Sequence, residues 1–64
     1  MDVKEREALA AVIEKLNKAR RDANNELQDV RIEGRFTQAR FYEGKVRAFD
    51  AAIRIVSELD KVEV

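Results

Sequence analysis

The sequence has no cysteine, no histidine and no proline. Without cysteine there is neither a disulfide framework nor a thiolate metal site. Without histidine the usual general base and the commonest metal ligand are missing. The Glu-x-x-His motif by which helical bundles hold two metals cannot be built either. Ser57 is the only serine, and no histidine is there to activate it as a nucleophile. Glycine is scarce, with Gly34 and Gly44 alone, so there is no glycine-rich phosphate loop. These absences point away from an enzyme, and no catalytic residue, cofactor or metal is expected.

An excess of one charge is also lacking. Thirteen basic residues face thirteen acidic ones, whereas a nucleic-acid module normally carries a basic surplus. The longest apolar run, Ala8-Leu9-Ala10-Ala11-Val12-Ile13, is far too short to span a bilayer. The N-terminus, Met1-Asp2-Val3-Lys4-Glu5, does not read as a signal peptide. A single domain without a membrane segment, placed in the cytoplasm, is the expectation. At 64 residues it stands near the lower limit for a lone stable core.

What is present is helical periodicity, broken at one place. Asp2 followed by Glu5 has the spacing of a capping box. From there Leu9, Val12, Leu16, Ala19, Ala23, Leu27 and Val30 recur every three or four residues, with one slip near Asn24-Asn25. Beyond Leu27, the alternation of Val30, Ile32, Gly34 and Phe36 with polar residues leaves two readings of 28–36, helix to about Glu33 or a short extended arm. Gly34 suits a left-handed position at a helix C-terminus. Thr37 suits an N-cap, with Phe36 and Phe41 as its hydrophobic staple. A second stripe follows: Ala39, Tyr42, Val46, Phe49, Ile53 and Val56, without a slip. The expected fold is all-α: one domain, 1–64, with helix 1 at about 3–30, a turn at about 31–37 and helix 2 at about 38–60. The two helices form an antiparallel hairpin. The last residues, 61–64, read as a frayed tail.

Helix 2 carries more apolar surface than one neighbour can cover. Ala48, Ala52, Ile55, Leu59 and Val62 form another stripe, centred about 110° from the first at 100° per residue. Helix 1 fills one stripe, so the other is the candidate face for a second copy or another protein. Pairing two hairpins gives a four-helix bundle. Gly44, Ala48 and Ala52, four residues apart, would permit a tight helix crossing there.

The charges come in blocks. Residues 1–14 carry net −2, 15–21 +4, 22–33 −3, 34–48 +3 and 49–64 −2. Folding at Gly34 sets an acidic block beside a basic one. The open end collects two acidic blocks, which favours antiparallel docking of two hairpins. Exposed pairs are worth only about 0–1 kcal/mol each, so the pattern speaks to orientation rather than stability. Lys15, Lys18, Arg21, Arg40, Lys45 and Arg47 could form a basic belt, with aromatic groups nearby for stacking. The balanced charge favours the alternative, in which the arginines pair with Glu26, Asp29, Glu33 and Glu43, so nucleic-acid binding is disfavoured. Tyr42 is expected to pack in the seam with its hydroxyl at the edge.

The run Arg40-Phe41-Tyr42-Glu43-Gly44-Lys45-Val46-Arg47-Ala48, leading into Ala51-Ala52-Ile53, resembles a theme in small helical proteins of phages and prophages. There an aromatic-Glu-Gly-Lys segment opens an amphipathic second helix. The resemblance carries over no functional residue. It implies a structural accessory, an assembly factor or an inhibitor of host machinery, placed in a host cytoplasm or in a virion. Three function classes follow from the sequence: a self-associating structural or assembly accessory, a small inhibitor or regulator of another protein, and an RNA- or DNA-binding hairpin.

Overall fold

The computed structural model describes residues 2–61. Helix α1 runs Val3–Ile32 and helix α2 Phe36–Asp60, and the two pack against each other as a hairpin. No strand occurs among the described residues. The Cα trace is a rod with extents of 49 × 14 × 10 Å and a radius of gyration of 14.9 Å. A compact domain of this length would have a radius of about 11 Å.

Local chemistry explains both ends of α1. Asp2 is its N-cap, with the carboxylate Oδ1 accepting a hydrogen bond from the Glu5 N–H at 2.8 Å. Asp2 thus satisfies one of the donors left free in the first turn. At the other end Gly34 has φ +74°. The Gly34 N–H donates to the Arg31 carbonyl at 3.0 Å and the Arg35 N–H to the Val30 carbonyl at 2.8 Å. This pair of bonds is a Schellman motif, and its left-handed residue is the one glycine placed for it.

The hairpin is helical to Ile32, so the extended-arm reading of 28–36 falls. The turn is tighter than the sequence suggests. Arg35 is the N-cap of α2 and gives no side-chain capping bond, while Thr37 lies inside the helix. The expected Thr37 cap is therefore wrong, and with it the staple: Phe36 and Phe41 are both exposed. Once the Arg35 N–H is tied back to Val30, the chain enters α2 directly. No residues remain for a separate capping turn at Thr37.

The core sits at the closed end. Ala23, Leu27, Val30 and Ala39 are the buried residues among those described; Leu27, Val30 and Ala39 form one cluster, and Tyr42 packs against it. The rest of the expected α2 seam, Val46, Phe49, Ile53 and Val56, is half-buried, as are Leu9, Leu16 and Ala19 of α1. Val12 is the exception in the α1 stripe, 44% exposed. The helix passes Asn24-Asn25 without interruption. Two of the four core residues are alanines, so the hairpin by itself buries little. The chain exposes 5203 Å², where a compact monomer of its mass would expose about 4,200 Å².

Candidate protein-binding face

The two long sides of the hairpin differ in chemistry. One side is closed by charge. Arg20 pairs with Asp50, and Arg31 Nη2 pairs with Glu43 Oε1 at 2.6 Å. Both pairs join α1 to α2. Arg35 pairs with Glu33 across the turn at 3.1 Å. Arg31 belongs to the acidic block and Glu43 to the basic one. The strongest contact across those blocks is thus made by the minority charge of each. The Arg31 hydrogen bond holds the Glu43 carboxyl below its ordinary value; desolvation opposes it, and the Arg31, Arg47 and Arg40 charges add to the lowering.

The opposite side is apolar and open. Of the candidate face, Ala48 is exposed, Ala52 half-buried, Ile55 60% exposed and Leu59 50% exposed, while Val62 lies outside the described residues. The structure extends this face in two directions that the sequence reading missed. Phe41, 62% exposed, lies at 200° on an α2 wheel that puts Leu59 at 200° and Ala48 at 180° (about 100° per residue). Its position on the stripe was visible in the spacing, but the sequence reading assigned it to the staple. On α1, Val12 joins Ala8, Leu9 and Leu59 in one shallow apolar recess at the open end. Val12 faces the same way on α1 as the buried Val30, five turns further on (about 100° per residue), so its exposure comes from its place near the open end.

Towards the turn the same side becomes polar. Glu26, Asp29, Gln38, Phe41 and Tyr42 line a second groove there. Tyr42 sits edge-on to Phe41, with ring centroids 5.3 Å apart. The Lys45 ammonium stands 5.4 Å from the Phe41 ring centre and 5.7 Å from that of Tyr42, within cation–π range. A hydrogen bond to Glu26 raises the Tyr42 phenol above its ordinary value; desolvation and the Glu26 charge add to this, and Arg35 opposes it. The tyrosine is thus a packing residue with its hydroxyl at the rim.

Gly44 does not mark a tight crossing within the hairpin, because a Cβ built there meets nothing within 4 Å. The six residues of the basic belt are not brought to one place. Lys15, Lys18 and Arg21 line a groove with Ala11 and Glu14 on α1; on the helical wheel Lys18 and Arg21 turn away from α2, and Lys15 lies on the flank between Asp22 and Ala8. Lys45 is over the aromatic pair, and Arg40 and Arg47 lie on the outer face of α2. Among the described residues no group of three acidic, histidine or cysteine side chains could hold a metal ion. No described helix is long and apolar enough to cross a membrane. Comparison with protein-family models, with curated proteins and with solved structures gives no match.

Proposed function

We propose that this hairpin acts by binding protein, in the first place a second copy of itself, as a self-associating structural or assembly accessory rather than an enzyme. The observation that carries this reading is the one-sided distribution of apolar surface. Phe41, Ile55, Leu59 and Val12 are all exposed on the side without interhelical ion pairs. Scattered exposed apolar residues are normal, but a contiguous apolar face on a small domain marks a contact site. A core of four small or medium side chains also leaves the lone hairpin marginal, and covering the open face is the way small helical domains gain stability. The phage-type resemblance agrees with such an accessory role. Nucleic-acid binding finds less support, since the basic residues are spread over separate surfaces.

The test is molar mass by light scattering, together with melting followed over a hundredfold range of concentration. Self-association predicts a mass of two or more chains and a melting temperature that rises with concentration. A 7.4 kDa species with concentration-independent melting refutes the proposal. Ile55→Lys places a charge in the centre of the face and should dissociate the assembly while leaving the hairpin helical.

A further inference from the structure

We infer that the outward face of α2 is a docking strip for an acidic amphipathic helix of another protein. Such a partner is additional to a second copy of the hairpin. Phe41, Gly44, Ala48, Ala51 and Ile55 are all exposed. Their spacing alternates three and four residues, the repeat of a coiled-coil seam. The row is centred about 150° from the seam that faces α1, at about 100° per residue, so α1 cannot cover it. It runs about 21 Å along the rod, at 1.5 Å per residue, and ends at Glu58. Arg40, Arg47 and Arg54 stand one residue before Phe41, Ala48 and Ile55. One edge of the row therefore carries an arginine every seven residues, and Lys45 stands on the other edge.

The fold leaves these arginines unpaired. Glu43 lies three residues after Arg40 and four before Arg47, and Asp50 stands in the same relation to Arg47 and Arg54. On an isolated helix such neighbours attract one another. In the hairpin both carboxylates are taken by α1 instead, Glu43 by Arg31 and Asp50 by Arg20. The Arg47 and Arg40 charges still act on Glu43. Among the described residues, however, none of the three arginines makes an ion pair.

The chemistry of the strip selects its occupant. Its middle is Gly44, Ala48 and Ala51, and a Cβ built at Gly44 meets nothing within 4 Å. Small side chains let a helix backbone come close, but they offer little apolar bulk to a lipid surface. Phe41 and Ile55 stand at the two ends as apolar anchors. An arginine every seven residues matches acidic residues flanking the seam of a partner heptad. A nucleic-acid backbone on the same arginines would leave the apolar row uncovered. Nor does a second copy of α2 suit this strip. In a parallel pair Arg40 would face the partner's Lys45, and in an antiparallel pair the arginine edges would face each other, with like charges repelling. One short seam buries less than the roughly 1,000 Å² of a stable complex, so the contact belongs to the weak, transient class.

The probe is a labelled three-heptad helical peptide with Leu and Ala at its seam positions and Glu on both flanks. One control carries Lys in place of Glu, and another scrambles the Glu peptide. Fluorescence anisotropy at physiological salt reads binding to the full hairpin. The Glu peptide should bind at least about tenfold more tightly than either control. Arg47→Glu removes an attraction and adds a repulsion, so it should weaken the Glu peptide on the order of tenfold and improve binding of the Lys peptide. Arg47→Gln should act in the same direction by less. Lys18→Glu makes the same charge change on the side of α1 turned away from α2, where screening beyond about 8 Å limits its effect to about twofold. Circular dichroism confirms that each variant folds. Absence of binding by the Glu peptide, equal binding by the scrambled one, or equal weakening by Lys18→Glu overturns the inference. Tighter binding to anionic phospholipid vesicles or to duplex DNA than to the Glu peptide overturns it as well. Self-association is read separately from the mass, and it stands or falls without these results.

Discussion

Leu27→Ala is the sharpest probe of where the hairpin is held together. Leu27 is 5% exposed and sits in the closed-end cluster with Val30 and Ala39. The substitution removes three carbons, each worth about 0.8 kcal/mol when buried, so the transfer loss is about 2.4 kcal/mol. A cavity penalty adds little, because a two-helix layer collapses easily, and the total falls at the low end of the 2–5 kcal/mol range for such changes. A domain of this length has roughly 3–10 kcal/mol of stability in all. The melting temperature should therefore drop by roughly 10–20 °C. Leu59→Ala deletes the same atoms at the open end, where Leu59 is 50% exposed, and should cost about half as much. Both are best measured in the Ile55→Lys background, by urea unfolding followed at 222 nm, so that self-association does not contribute. If Leu59→Ala shifts the midpoint as much as Leu27→Ala, at equal m-values, the core is not concentrated at the closed end.

The two glycines should respond in opposite directions. Gly34→Ala forces a Cβ into a left-handed conformation at φ +74°, and should destabilise by about 1–2 kcal/mol. Gly44→Ala meets open space and should stabilise α2 by about 1 kcal/mol through helix propensity; thermal melts of the two variants check both signs. The Arg31–Glu43 pair predicts a pH dependence. Because the Glu43 value is lowered on folding, its contribution is present above the ordinary carboxylate range and is lost as pH falls through the folded value. Wild type should exceed Glu43→Gln in melting temperature at neutral pH, and the gap should close on acidification. A gap that persists in strong acid would show that the pair is not its source.

Much of the local structure was legible in the residues alone. The 3.6-residue period, the Asp2 cap and the left-handed Gly34 act over a few residues, so spacing and side-chain chemistry suffice to place them. The start of α2 was not legible in this way. Thr37 is a good N-cap by composition, but the Schellman bonds from Gly34 and Arg35 close the turn before Thr37 is reached. The seam of α2 was readable because a strict repeat admits one buried face. The ion pairs were not, since net charges of blocks give an attraction without saying that Arg31 meets Glu43 or that Arg20 meets Asp50. Those partners depend on how far each helix is rotated about its own axis. The same rotation splits the basic residues between separate surfaces, while the exposure of Val12 follows from its place near the open end. Sequence determined that there are two amphipathic helices and that α2 has apolar surface to spare. Only the packing of one helix on the other decided that Phe41, Ile55 and Leu59 stay exposed on the flank away from the interhelical ion pairs, because the rotation and height of two helices are set by the fit of their side chains.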